Sequence, residues 1–122
     1  TEIDPAKAAG KSLTGVLQDN TKVQTTCGYS LEGTFYPEDG QYIVLTVTNN
    51  GSATQTVMAG RALTLGGFEK FTSVDIGAGE TLTRAFSIAD GAEELESTLA
   101  FGVYAKGVSG FSDITVSLKQ YK

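Results

Sequence analysis

Glycine punctuates the second half of this chain every ten residues or so, about the strand-and-turn spacing of a β-sandwich, and the runs between are short, alternating and rich in β-branched and aromatic residues. Gly66-Gly67, Gly77-Ala78-Gly79, Asp90-Gly91 and the stretch from Gly107 to Gly110 separate five such runs: Ala62 to Leu65, Phe68 to Ile76, Glu80 to Ile88, Leu99 to Ala105 and Asp113 to Lys119. Ala92 to Ser97 has room for one helical turn, too little to cross a sheet, so alternating βαβ units are excluded. The spacing predicts an all-β chain folded as an antiparallel β-sandwich, jelly-roll or Ig-like. Asp4-Pro5-Ala6-Lys7 adds an N-cap residue and a proline at the first helical position, and predicts a short N-terminal helical turn.

The first half carries the same grammar. Lys11 to Leu17, Val23 to Thr26 and Tyr29 to Tyr36 read as strands, the last broken by Pro37-Glu38-Asp39-Gly40. Gln41 to Ala59 reads as a hairpin about Asn50-Gly51-Ser52, with Leu45 opposite Val57 and Ile43 opposite Ala59. With 122 residues and no internal linker, residues 1–122 form a single β-sandwich domain, large enough to bury one apolar core without disulfides. The lone Cys27 pairs with nothing in the chain and reads as a small buried residue.

Alternation sorts the strands into two faces. Leu31, Phe35, Ile43, Leu45, Val47, Leu82, Phe86, Ile88, Leu99, Phe101, Val103, Ile114, Val116 and Leu118 form the inner set. The opposite parity carries Glu32 and Tyr36, Tyr42 with Val44, Thr46 and Thr48, then Ala100, Gly102 and Tyr104, and Thr115, Ser117 and Lys119. Flat aromatic rings flanked by hydroxyl and carboxylate groups on a rigid sheet suit a sugar, whose C–H face stacks while its hydroxyls find directional partners. Tyr36, Tyr42, Tyr104 and Glu32 are the candidate carbohydrate contacts. Because the chain has no Trp, any stacking surface is built from smaller rings. Arg84 shares the parity of Leu82 and Phe86, which calls for a bulge after Thr83 or an edge position where its head reaches water. It also joins the candidate set, as an arginine that pairs with Glu80 or Asp75 beside a groove.

Composition narrows the chemistry. The absence of histidine removes Ser-His-Asp and Cys-His catalysis, His-containing zinc sites and His-ligated haem. The carboxylates, among them Glu38-Asp39 and Glu93-Glu94, show no spacing that joins a glycosidase pair, so no enzyme is expected. A formal charge of -5 is the wrong sign for nucleic acid. No apolar run approaches membrane-spanning length. Low Cys and Met beside abundant Thr and Ser fits a secreted or cell-surface bacterial protein. Loop carboxylates at the sandwich ends, Asp39, Asp75, Asp90, Glu93 and Asp113, are the candidate calcium ligands.

The segments Phe71 to Ile88, Leu99 to Tyr104 and Phe111-Ser112-Asp113-Ile114-Thr115-Val116-Ser117-Leu118 resemble jelly-roll carbohydrate-binding modules of the family 4, 9 and 22 type, with the likeness covering about residues 41–120. The resemblance implies a non-catalytic domain appended to a secreted polysaccharide-degrading protein. Such a domain holds polysaccharide or oligosaccharide on one sheet face and carries a structural calcium, for which Asp113 matches the acidic residue of the closing strand. The alternative is a structural Ig-like module or subunit of a bacterial cell-surface protein, fibre or pilus, with the same face packed on neighbouring domains or subunits.

Overall fold

The computed structural model describes residues 2–25, 29–34, 39–62, 68–87, 98–105 and 112–122. They form β1 (Glu2–Ile3), β2 (Leu13–Thr25), β3 (Tyr29–Thr34), β4 (Tyr42–Asn49), β5 (Gln55–Ala62), β6 (Phe68–Ile76), β7 (Thr81–Ser87), β8 (Thr98–Ala105) and β9 (Ser112–Tyr121). A 3-10 turn, Pro5–Lys7, follows β1, and the Asp4 side chain caps it by accepting from the Ala6 amide at 3.0 Å. Among the described residues no helix is long and apolar enough to cross a membrane.

The strands make an antiparallel sandwich of two sheets, ordered β1-β7-β4-β9-β2 and β3-β8-β5-β6. From β2 to β9 the chain changes sheet at every step except from β5 to β6. An Ig-like domain instead pairs its first two strands within one sheet. The order found here, with the first and last long strands β2 and β9 as neighbours and β4 and β7 beside them, is that of the eight-stranded jelly roll. β1 is an addition on the outer edge of β7, where Glu2 and Ile3 lie opposite Phe86 and Ala85.

The hairpin expected across Gln41 to Ala59 does not form. β4 pairs with β7 and β9, whereas β5 pairs with β6 and β8, so Asn50-Gly51-Ser52 carries the chain from one sheet to the other. Ile43, Leu45, Val57 and Ala59 still meet, but across the sandwich, as parts of one core. The two runs read as separate strands, Lys11 to Leu17 and Val23 to Thr26, are one long β2. Three register shifts interrupt its pairing with β9, and Asn20 sits at φ 49.

The core is the inward parity of both sheets: Ile43, Leu45 and Val47 of β4, Val57 and Ala59 of β5, Ile76 of β6, Leu82 and Phe86 of β7, and Ile114, Val116 and Leu118 of β9. Each large apolar side chain removed from water stabilises by about 2 kcal/mol before the entropy of ordering it is counted. Within the expected inner set, Phe35 and Ile88 fall outside the described residues, as do the side chains of Leu31, Leu99, Phe101 and Val103.

Three buried amides tie the ends of the sandwich. Asn49, fully buried, donates to the carbonyls of Ala53 at 2.8 Å and Ile76 at 3.1 Å, and its Oδ1 accepts from Gly51 N at 3.0 Å. Its backbone meanwhile bonds Glu80 O and Gly79 N, so one residue fastens the β4–β5 crossover to the β6–β7 turn. Gln55 is also fully buried, beside it in the same crossover, and its Nε2 reaches the Ala53 carbonyl at 3.4 Å. At the opposite end Gln120 donates to Gly40 O at 2.9 Å.

Candidate functional site

The strand order divides the candidate carbohydrate contacts between two sheets. Tyr42 belongs to β4 of the five-stranded sheet, while Glu32 and Tyr104 belong to β3 and β8 of the four-stranded one. The outer faces of a sandwich look in opposite directions, so these residues do not make the single face expected of them. Tyr36 lies outside the described residues. In register Glu32 stands opposite Ala100, and Tyr104 opposite Thr56, whose hydroxyl donates to Asp75 Oδ1 at 2.7 Å.

Arg84 is not on the outer face either. The β4–β7 register runs unshifted from Tyr42 opposite Ser87 to Thr48 opposite Thr81, which puts Arg84 opposite the buried Leu45, on the inward parity. No bulge rescues it. β1 covers β7 only at Ala85 and Phe86, so at Arg84 this strand is the rim of the sheet, and the side chain reaches out to donate from Nη1 to Thr83 O at 3.1 Å.

The outer face of the five-stranded sheet is the best-built surface among the described residues. Its rows run across β7, β4, β9 and β2. One end row is Ser87, Tyr42, Tyr121 and Leu13, with the two tyrosines directly opposite each other. In a directly opposed antiparallel pair the Cβ atoms stand about 5 Å apart, close enough for two rings to make one platform. The next row is Ala85, Val44, Lys119 and Val16. Beyond it come Thr83, Thr46 and Ser117, and then Thr81, Thr48, Thr115 and Lys22.

An apolar and aromatic corner therefore runs into two rows of hydroxyls. Tyr42, Tyr121 and Val44 are partly exposed, and Leu13 and Val16 are about half exposed, at 52% and 49%. Four of the six hydroxyls in these rows, those of Thr48, Thr81, Thr115 and Ser117, are held by hydrogen bonds within the protein. Thr48 and Thr81 share a hydrogen bond of 2.9 Å, Asn50 Nδ2 donates to Thr115 Oγ1 at 2.7 Å, and Ser117 Oγ bonds both the amide and the side chain of Asn20. Hydroxyls fixed in this way present lone pairs and protons to a sugar at low entropic cost.

The N-terminal segment borders the corner. Between β1 at one edge and β2 at the other, it packs its 3-10 turn against β7, and Ala85, though on the outward parity, is fully buried. It then brings Lys11 Nζ to 5.5 Å from the Tyr42 ring centroid, within cation–π range. Ser12 and Lys122 exchange backbone hydrogen bonds of 3.2 and 2.8 Å, which fixes the segment beside Tyr121.

The sequence reading found Tyr42 and overlooked Tyr121, because it ended the last strand at Lys119. Carrying the alternation of Ile114, Val116 and Leu118 onward places Gln120 inside and Tyr121 outside, which is the signal that would have found it.

Asp113 is the second residue of β9 and stands opposite Gln24 of β2. Its Oδ2 accepts from Gln24 Nε2 at 3.2 Å, and its carbonyl accepts from Asn50 N at 2.7 Å. Among the described residues no group of three or more His, Cys, Asp or Glu gathers to hold a metal ion, and Asp90 and Glu93 of the candidate calcium set lie outside the described residues.

No family model matches the chain, and no curated protein matches it significantly. Among solved structures, the mitogen of Yersinia pseudotuberculosis is similar with a TM-score of 0.47 and 12% identity, over 88% of this chain and 82% of that one. The CBM22-1 and GH10 modules of the Clostridium thermocellum N-terminal endo-1,4-β-D-xylanase 10B, complexed with xylohexaose, give 0.39 and 13%, over 68% of this chain and 17% of that chain. The coat protein of Tobacco streak virus gives 0.38 and 6%, over 90% and 81%. Likenesses this distant say nothing about activity, and the jelly-roll order stands on the strand pairing alone.

Proposed function

We propose that this domain is a non-catalytic carbohydrate-binding module of a secreted polysaccharide-degrading protein, and that glycan lies across the outer face of its five-stranded sheet. One observation supports this reading above the others: the Tyr42–Tyr121 pair, directly opposed on the outward parity and continuous with two rows of hydroxyl side chains. A sugar ring stacks on the pair through its C–H face, and the following rings of the chain meet Thr46, Ser117, Thr83 and Thr48 through hydroxyl-to-hydroxyl hydrogen bonds. At about 3.4 Å per residue, the seven steps from Tyr42 to Asn49 give a face about 24 Å long, room for several sugar units.

The test is affinity electrophoresis against soluble β-glucans, xylans, mannans and pectins. Retardation by at least one of them is expected, with Tyr121→Ala weakening it about fivefold or more at an unchanged melting temperature, since a stacked ring is worth about 1 kcal/mol or more. Retardation by none of the four classes sinks the reading.

A second reading, a structural module of a cell-surface assembly, draws on the exposure of Leu13, Val16 and Leu17, the last at 38%, along the edge strand β2. It requires association of the purified domain, which sedimentation reads directly.

A further inference from the structure

The charges around the tyrosine pair are of one kind more than the other. Lys11 stands over the Tyr42 ring, and Lys122 follows Tyr121 at the point where its backbone is pinned to Ser12. Lys119 lies in the adjoining row, on the same face two residues before Tyr121. Lys22 ends the far row, opposite Thr115, and the exposed Lys7 sits in the 3-10 turn that packs on β7. Five of the nine basic residues of an acidic chain are thus on or beside this one face. Among the described residues the carboxylates of this face are engaged within the protein: Asp19 Oδ1 lies 3.3 Å from Lys119 Nζ, Asp4 caps the 3-10 turn, and Asp113, on the parity of Thr115 at the far end, accepts from Gln24 Nε2 at 3.2 Å, while Asp39 is exposed at the margin beside Gly40.

We propose, building on the glycan-binding reading above, that the ligand of this face is an anionic polysaccharide whose carboxylates are taken by Lys11, Lys119 and Lys122 while its rings stack on Tyr42 and Tyr121. Lys11 Nζ stands at the Tyr42 ring, Lys119 comes from the adjoining row of the same face and Lys122 follows Tyr121 in the chain, so all three are borne by residues beside the stacking platform, where a carboxylate carried on a stacked sugar projects outward from the ring edge. Lysine suits this task because its ammonium is a compact charge on a flexible stem and follows a carboxylate that varies in position along a polymer. Asp19 already shows the kind of contact Lys119 makes, and a glycan carboxylate replaces it without leaving either charge buried, both side chains being open to solvent. The net charge of -5 opposes a polyanion at long range, but at physiological ionic strength charges beyond about 8 Å are screened, and the groups at the contact decide.

The experiment compares one polymer in two charge states: polygalacturonate and alginate against their carboxyl-reduced forms, titrated into the intact protein by calorimetry. The uronate forms are expected to bind about tenfold more tightly than the reduced forms. The triple variant Lys11→Gln/Lys119→Gln/Lys122→Gln is expected to erase that ratio while keeping its affinity for the reduced polymers, and Tyr121→Ala to lose both. Equal or tighter binding of the reduced polymers overturns the anionic assignment and leaves the glycan-binding reading in place, as does a ratio that survives in the triple variant. Binding of neither form here, together with no retardation by the neutral glycans, overturns both.

Discussion

At Asn49 a side chain with no access to water satisfies two carbonyls and one amide, and its backbone holds two more bonds to the neighbouring turn. Removing it leaves buried carbonyls and an amide without partners, each costing about 1 kcal/mol or more. Asn49→Ala is therefore expected to lower the unfolding free energy by about 3 kcal/mol in urea or guanidinium titration. Gly40 is constrained differently: at φ 148 a side chain there is strained, and an added Cβ runs into the Tyr121 carbonyl. Gly40→Ala is expected to destabilise by about 2 kcal/mol or more, and because Tyr121 is the residue displaced, to weaken glycan binding as well. Such a coupled loss separates it from Asn49→Ala, which lies at the far end of the sheet and is expected to leave affinity unchanged in the folded fraction.

Among the strands, β4 and β9 are the middle of the five-stranded sheet and supply six of its buried core residues, Ile43, Leu45, Val47, Ile114, Val116 and Leu118. Their amides are expected to exchange with solvent at the rate of global unfolding. Those of residues 13–20, on an edge and interrupted by register shifts, are expected to exchange orders of magnitude faster. Hydrogen-exchange mass spectrometry reads the contrast, and uniform protection across β2 and β4 would contradict it. The alternation that fixes the faces of β4 and β9 was legible in the sequence, since a buried inner parity leaves its mark on every second residue. The partner of β4 was not. Asn50-Gly51 is turn chemistry whether the chain returns in the same sheet or steps to the facing one, and only pairing with β7 and β9, remote in sequence, decides between them. For the same reason three tyrosines of like parity looked like one face until Tyr42 and Tyr104 were assigned to opposite sheets.

For the molecule as a whole, the jelly-roll order pairs the second strand with the last and places both beside β4, so most contacts join residues distant in the chain. Loop closure must precede the pairing that compensates it, and refolding is expected to take milliseconds to seconds in stopped-flow measurements rather than microseconds. The same order gives the domain two outer faces, and among the described side chains the one bearing Tyr42, Tyr121 and the threonine rows combines a stacking platform with fixed hydroxyls. Backbone-amide NMR of the intact protein, titrated with the polysaccharide that retards it most, tests this assignment most directly. Shifts are expected to concentrate at Tyr42, Val44, Thr46, Ser117, Lys119 and Tyr121 and to spare β3 and β8. Shifts centred on Glu32, Ala100 and Tyr104 instead, or no shifts at saturating glycan, would contradict it.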